Sequence, residues 1–533
     1  MEQQEGTKRH RVLVADPISK KGVELLEQAA DVEVSTGLTA EQLIAKIPDF
    51  DALVVRSETK VTEPVFAAAK RLKIVGRAGV GVDNIDVSAA TKAGVIVVNS
   101  PEGNTIAAAE HTTAMLMAVA RRIPDAVNSL RHEEWKRSKF VGVEVYNKTI
   151  GVVGLGKIGR EVAKRCKGLG MRVLAFDAFV AADVARRDGV EMVDLPELYQ
   201  RSDFITVHTP LTRDTRGIIN DEAFAQMKDG VRILNCARGG IIDEEALLRA
   251  LESGKVAAAA LDVFEKEPPT DFRLVHHPHV IATPHLGAST EEAQVNVALD
   301  VAEQIVAVLD GQPPRAAVNM PAVSADLLAR LSPHLELGTK IGRLHAQLAE
   351  SPITAVSVTY GGELLDLDVQ PVTRSVLVGL LQPMLAEGVN FVNAPYIAEQ
   401  RGVRVTESKT AGEDDLPNYI CVEVQEESGT HTISGTVLGR RDLRIREIDD
   451  FHIDLRPEGY LLFARHTDRP GIIGLVGTML GDAGINIAGM YVGREAAGRR
   501  AIMVLTVDEA VPEELLNRIQ EAIEADQVRL VDL

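Results

Sequence analysis

The sequence predicts an α/β protein: two doubly wound parallel sheets in series, followed by two smaller α/β modules. Three observations carry that expectation. Short β-branched runs alternate with amphipathic stretches through the first half of the chain. A glycine-rich hexapeptide, Gly154 to Gly159, joins one such run to a helical pattern, and the last segment reads strand-helix-strand-strand-helix-strand.

At 533 residues the chain exceeds what one hydrophobic core organises, so several compact units are expected. Its 45% hydrophobic and 25% charged residues are those of a soluble globular protein. The longest apolar runs, such as 256–263, fall well short of the ~20 residues a membrane-spanning helix needs. The opening residues 1–11 are polar, so neither signal peptide nor membrane anchor is expected. Cys166, Cys236 and Cys421 are scattered and odd in number, which points to free thiols in a reducing cytoplasm and to no metal site. A net charge of −19 makes nucleic acid a poor partner. A small anionic substrate must then be met by a few locally placed arginines.

In the first series, residues 11–15, 32–35, 52–56, 73–77 and 95–99 read as strands, with helix periodicity in spacers such as 19–29. A long helical pattern at 105–122 leads to a second series, with strands at 149–153, 172–177, 204–206, 232–235, 258–263 and 280–282. Another long helical pattern, 291–309, ends at the Gly-Gln-Pro-Pro break of 311–314. Because the second series lies between two long helices, the chain is expected to return to the first unit. That unit is then discontinuous, 10–102 with 291–319, around a nucleotide unit at 103–290. An α/β segment at 322–456 shows strands at 354–359, 419–424 and 430–438. The last unit, 459–533, has strands at 460–465, 486–492, 500–507 and 528–531, with helices at 471–483 and 512–525, a ferredoxin-like βαββαβ order.

The hexapeptide Gly154-Leu155-Gly156-Lys157-Ile158-Gly159 follows a β-branched strand. The first glycine permits the tight turn, the second lets a pyrophosphate approach the backbone, and the third lets helix and strand pack closely. The next strand ends at Asp177, 18 positions beyond Gly159, where an acid accepts hydrogen bonds from a ribose. Ala178 and Phe179 offer no cation for a 2'-phosphate, so the cofactor is expected to be NAD on a Rossmann sheet. The plainer reading of Asp177 is a surface helix cap.

Hydride transfer to nicotinamide needs a proton acceptor, a cation for the substrate carboxylate and exclusion of water. Such groups belong at the carboxyl ends of the strands. Those ends carry Arg238, Glu267 and His285. His285 exchanges a proton near neutral pH, Glu267 beside it orients the ring, and Arg238 grips a carboxylate with two parallel hydrogen bonds. Taken singly, each is an ordinary loop residue. Their succession at three strand ends beyond a nucleotide fingerprint favours chemistry.

In the first unit, Arg56 and Ser57 end one strand, the backbone amides of Gly79 and Val80 follow another, and Asn104 enters the long helix. Together they are candidates for holding an anionic substrate, although Arg56 also reads as an exposed strand-end arginine.

These stretches, with 235–240, 262–268 and 283–290, resemble the D-isomer-specific 2-hydroxyacid dehydrogenases. That resemblance implies a flavodoxin-like substrate domain holding the Rossmann domain. It implies Arg238 as carboxylate ligand, Glu267 as tuner of the histidine, and His285 as proton acceptor. Thr209, Cys236, Ala237, Asp262, Gly287 and Ala288 would contact the cofactor, Cys236 through its backbone rather than its thiol. The phrases at 55–57, 77–84 and 101–105 look like the long-form branch that oxidises 3-phosphoglycerate to 3-phosphohydroxypyruvate, the first step of L-serine biosynthesis. The short bacterial forms carry a second arginine where Glu58 stands, so part of the phosphate charge must be met elsewhere. Lys136, Arg137 and Lys139, after Trp135, either reach a neighbouring subunit's cleft or are solvated while Trp135 anchors a dimer. A same-class alternative is a glyoxylate or hydroxypyruvate reductase. One from another class is an NAD-sensing corepressor-like binding protein.

The last unit resembles an ACT domain, which implies pairing across subunits of a dimer or tetramer and an amino-acid effector. His466, Asp468 and Asn486 fall where serine-inhibited relatives contact L-serine, although Asp468 also reads as a helix cap and Asn486 as a turn residue. In the intervening segment, Arg444, His452 and Arg456 form either a second anion site or, beside Asp449, Asp450 and Asp454, a neutralised surface, which is favoured.

Overall fold

The computed structural model describes residues 9–321, 323–385, 388–411, 418–496 and 498–533; Ala322, the expected start of the intervening segment, lies outside them. The described residues form four sheets.

The first sheet holds β1 (Arg11–Val14), β2 (Asp31–Val34), β3 (Ala52–Val55), β4 (Ile74–Arg77) and β5 (Ile96–Asn99), all parallel in the order β2-β1-β3-β4-β5. Ala52, Leu53, Val54 and Val55 are all buried, because helices cover both faces. Chain order reverses between β1 and β3, the flavodoxin-like switch point. The Glu291–Leu309 helix comes back to this sheet. Its Val301 and Ile305 fill the space beside Gly76, and Gln304 donates to the Asn99 carbonyl at 2.9 Å.

The second sheet holds β6 (Thr149–Val153), β7 (Arg172–Phe176), β8 (Glu191–Met192), β9 (Phe204–Val207), β10 (Val231–Asn235), β11 (Val256–Leu261) and β12 (Val280–Ala282), parallel in the order β12-β11-β10-β9-β6-β7-β8. This is the Rossmann arrangement with its reversal between β6 and β9. The sequence pattern shows six strands here. The seventh, β8, is a two-residue edge, too short to display alternation.

The third sheet runs β14-β13-β15-β16-β17-β18, with β13 (Ile353–Gly362), β14 (Arg404–Lys409), β15 (Asn418–Glu426), β16 (Thr430–Leu438), β17 (Asp442–Ile448) and β18 (Phe451–Leu455). Only β13 and β14 pair in parallel. Three of these strands escape the sequence pattern. β14 is an exposed polar edge, and β17 and β18 put charged side chains on the open face. Helices Ala325–Leu348 and Gln370–Leu385 pack together so closely that a Cβ on Gly379 would collide with the Thr339 carbonyl, and one on Gly342 with that of Val376.

The fourth sheet runs β20-β21-β19-β22, antiparallel, with β19 (Tyr460–Thr467), β20 (Ile487–Arg494), β21 (Arg500–Val507) and β22 (Gln527–Asp532). Helices Ile472–Asp482 and Glu513–Ile523 complete the ferredoxin-like order. Leu461, Phe463, Ile502 and Val504 enter the same apolar core as the third sheet, so the tail is fused to the unit before it.

The glycine crossing yields a test. Gly379→Ala is expected to cost about 1–3 kcal/mol by overpacking and to lower the thermal unfolding midpoint of the full chain. Gly474→Ala, where an added Cβ meets nothing within 4 Å, is expected not to lower it.

Candidate active site

The cofactor wall begins where β6 ends. Gly154 takes φ +94°, a conformation that side chains resist, and its N–H donates to the Phe176 carbonyl at 2.8 Å. A Cβ on Gly159 would strike the Gly154 carbonyl, whereas Gly156 has nothing within 4 Å. The turn therefore leaves room above Gly156, at the N-terminus of the Lys157–Gly168 helix, for a pyrophosphate to reach backbone amides. Asp177 accepts from the N–H groups of Leu155 (2.7 Å), Phe179 (2.8 Å) and Val180 (3.2 Å). It caps no helix, since the next one begins at Ala182 behind Ala181; these bonds instead hold the carboxylate in place beside the turn.

A cleft of about 460 Å³ is lined by Gly156, Lys157, Ile158 and Thr209 on one side and by Cys236, Ala237, Arg238 and His285 on its floor, with Gly287 and Ala288 beside them. Val80 and Asn104 form the opposite wall. Asn104 Oδ1 and Thr209 Oγ1 are buried without a protein partner. Buried polar atoms are normally satisfied, so these two, with the open space over Gly156, fit a bound dinucleotide and a polar substrate.

The three candidate chemical residues converge. After β10, Asn235 ties the turn by donating to the Arg238 carbonyl (2.8 Å) and accepting from the Ala237 N–H (3.0 Å). Gly239 lets this turn touch the Phe264 backbone, since a Cβ there would overlap the Phe264 carbonyl. Glu267 accepts from the Phe264 N–H (3.1 Å) through Oε1, and its Oε2 lies 2.7 Å from His285 Nδ1. Burial pushes the Glu267 carboxyl up. The His285 hydrogen bond and charge, the Phe264 amide and the Arg238 charge outweigh it and hold the group below the usual carboxylate range. With Nδ1 engaged, Nε2 is the histidine nitrogen left to exchange a proton.

Asp262, with no exposed surface, accepts from Thr283 Oγ1 (2.6 Å), Leu286 N–H (2.7 Å) and Gly287 N–H (2.8 Å), and so shapes the turn that carries His285 at φ +55°. Burial, then the charge of Asp262, pushes the Cys236 thiol up to about 12, which leaves it inert and agrees with a backbone role.

Arg56, Ser57 and Gly79 stand at the ends of β3 and β4, outside the innermost cleft lining. The Arg56 N–H donates to Asp16 Oδ2 at 2.6 Å, and its guanidinium reaches the Pro17 carbonyl at 3.5 Å. Between Arg56 and Arg238 lies Arg77, which sequence reasoning passed over. Burial, and then the neighbouring Arg238 guanidinium, pushes its pKa down, and its Nε is buried without a partner. A strand-end arginine beside a glycine turn was its only signal. His111, whose Nε2 lies 3.2 Å from Asp262 Oδ1, was also missed, because a histidine inside a helical pattern gives none.

In the fourth unit, Asp468 pairs with Arg494 (3.3 Å) and Asn486 donates to Asp508 (2.7 Å). His466 is buried with its Nε2 unpartnered, and among the described residues no hydrogen bond joins the three. Arg444 and Arg456 both pair with Asp442, at 3.0 and 3.2 Å, Arg444 also lies 3.4 Å from Asp454, and His452 lies 3.6 Å from Glu447; the charges are neutralised, but by Asp442 and Glu447 where Asp449 and Asp450 were expected. Trp135 is 77% exposed, and Lys136 pairs with Glu134.

Three family models match in series: the D-isomer specific 2-hydroxyacid dehydrogenase NAD binding domain at 113–287, the D-3-phosphoglycerate dehydrogenase intervening domain at 330–449, and the ACT domain at 460–524. The D-3-phosphoglycerate dehydrogenase of Synechocystis sp. is 49% identical over 96% of this chain and 92% of its own length. That of Methanocaldococcus jannaschii is 46% identical over 98% of this chain and 100% of its own. The chain belongs to the D-3-phosphoglycerate dehydrogenase family. It contains the NAD-binding domain that this membership brings. Similar solved structures include apo D-lactate dehydrogenase from Escherichia coli (TM-score 0.53, 32% identity, 99% of its own chain). A glyoxylate reductase from Paecilomyes thermophila is another (TM-score 0.54, 30% identity, 98% of its own chain). Each covers 58% of this chain, whereas the phosphoglycerate dehydrogenases match it nearly end to end, which favours them over the reductase alternative. No helix of the described residues is long and apolar enough to cross a membrane.

Asp177→Ala is expected to weaken NADH binding by about tenfold, as the loss of one charge-assisted contact implies. Titration of NADH fluorescence checks it.

Proposed function

We propose that the chain oxidises 3-phospho-D-glycerate to 3-phosphohydroxypyruvate with NAD, opening L-serine biosynthesis. The single observation that carries this reading is the convergence of Arg238, His285 and Glu267 on the cleft beside Gly156. Bound NAD supplies the hydride acceptor. Arg238 grips the substrate carboxylate with two parallel hydrogen bonds and so fixes the carbon that bears the hydroxyl. His285 Nε2 takes the hydroxyl proton while Glu267 stabilises the charged imidazole. In the reverse direction the same nitrogen returns the proton.

The nucleotide is held by Gly154, Gly156, Lys157, Ile158 and Gly159, by Asp177 on the ribose, and by Thr209, Cys236, Ala237, Asp262, Gly287 and Ala288 along the wall. The substrate phosphate falls to Arg56, Ser57 and the amides of Gly79 and Val80, with Asn104 and Arg77 nearby. Arg77 supplies charge where Glu58 does not. Substrate binding is assigned to 10–102 with 291–319, the cofactor to 103–290, and regulation to 322–456 and 459–533. L-serine is the proposed effector, at His466, Asp468 and Asn486. The exposed apolar side chains of Leu130, Trp135, Val141 and Tyr146 support a homo-oligomer, a dimer or tetramer. The cytoplasm is the proposed compartment, from the scattered, odd-numbered cysteines.

In a panel of 2-hydroxy acids with NAD, 3-phosphoglycerate is expected to be the preferred substrate. His285→Ala is expected to abolish turnover, about a thousandfold or more, while NADH still binds; surviving turnover removes His285 from proton transfer. Arg56→Ala is expected to raise KM for phosphorylated substrates about tenfold and leave unphosphorylated ones unchanged, whereas equal loss on both removes it from the phosphate site.

For the tail, millimolar L-serine is expected to slow the wild-type chain and Asn486→Ala to relieve that inhibition. An enzyme indifferent to serine ends the effector assignment.

A further inference from the structure

A carboxylate with no exposed surface stays ionised only if several donors satisfy it. The Asp262 carboxylate accepts from three groups of the turn that carries His285, the Thr283 hydroxyl and the backbone N–H groups of Leu286 and Gly287. A fourth polar group faces it from elsewhere. It is His111 Nε2, 3.2 Å from Asp262 Oδ1 and 3.3 Å from Thr283 Oγ1, on the Thr105–Arg121 helix.

That helix is the element that reaches both sides of the cleft. Asn104 at its start and Ala108 line the cleft wall, and His111 follows on the same stripe at helical spacing. Its buried Ala109, Leu116 and Ala120 pack into the core of the second sheet, so the stripe is held rigidly. The turn it meets needs an external hold. His285 sits at φ +55°, where a residue with a side chain costs roughly 1–2 kcal/mol and persists only if its surroundings determine it. Its N–H donates to the Asp262 carbonyl at 2.9 Å, and the next two N–H groups go to the Asp262 carboxylate.

Resting on the dehydrogenase reading above, we propose that His111 is a positioning residue for the reaction: by donating to Asp262 it locks the 283–287 turn and thereby sets His285 against the substrate. His111 touches neither substrate nor the reacting atoms. It acts through Asp262 and couples the turn to the helix that carries the substrate wall.

The electrostatics give a readout that simple support of the fold would not move. Burial pushes the Asp262 carboxyl up, and the hydrogen bonds from His111, Thr283 and Leu286 overcome that and hold it below the usual carboxylate range. The other ionisable groups near it are Cys236 after β10, whose thiol stays protonated, and His285 with its partner Glu267 in the two loops. A carboxyl held low stays ionised until the pH falls through its folded value. Without His111 that value rises, Asp262 takes a proton sooner, and a protonated Asp262 no longer accepts from the whole turn. The acidic limb of the rate profile then moves to higher pH.

The experiment measures kcat against pH for the full chain with 3-phosphoglycerate and NAD in wild type, His111→Ala and His111→Gln, with NADH affinity read by fluorescence. His111→Ala is expected to lower kcat about tenfold and shift the acidic limb upward, while NADH affinity stays within about threefold of wild type. Glutamine, which keeps a donor, is expected to restore most of the rate and return the limb toward its wild-type place. The inference is overturned if His111→Ala matches wild type in rate and limb, if glutamine is as impaired as alanine, or if NADH affinity falls in step with kcat. A wild-type chain that oxidises no 2-hydroxy acid overturns the dehydrogenase reading as well, whereas wild-type turnover untouched by His111→Ala overturns this inference alone.

Discussion

Parallel strands that lie side by side end on the same edge of a sheet, about 4.8 Å from one another, and whatever follows them must meet there. β10, β11 and β12 are such neighbours, and the loops after them carry Arg238, Glu267 and His285. Residues far apart in the chain thus reach one cleft without any long-range recognition beyond the ladder hydrogen bonds. The 2.7 Å contact between His285 and Glu267, the Arg238 turn against Phe264 and the Asp262 anchor all depend on that shared edge.

Charge is distributed to match. The chain as a whole is acidic, with a net charge of −19, yet Arg56, Arg77 and Arg238 gather where the two parallel units face each other. Guanidiniums so near one another repel, and burial first, then that repulsion, pushes the Arg77 pKa down. Asp83, 3.5 Å from Arg238, offsets part of that repulsion. An anionic ligand would offset more, which is why a cation cluster on an acidic protein reads as a binding feature rather than a fold feature.

The regulatory half is built differently. Its sheets are antiparallel apart from β13 and β14, and one core runs through both, with Leu461, Phe463, Ile502 and Val504 of the fourth sheet packed among side chains of the third. Arg465 reaches across to Asp449 at 2.6 Å. A shared core and a partly buried ion pair make the two units move as one body more readily than as separate modules.

Much of this is legible in the sequence. The glycine turn, the acid at Asp177 and the strand-end trio follow from local rules, because a tight turn and the ends of neighbouring strands are marked by residue type at a fixed place in the chain. So does the order of elements in the fourth unit. β8, β14, β17 and β18 were not legible, since short or charge-bearing edge strands carry no apolar alternation. Nor were Arg77 and His111. Their roles come from what stands opposite them, Arg238 in one case and Asp262 in the other, and those partners lie more than a hundred residues away in the chain. The sequence by itself determined most of the elements, the glycine turn and the candidate groups at the strand ends, because these are properties of neighbouring residues. Only the tertiary structure decided which buried charges face one another, because that depends on how separate elements are packed in space.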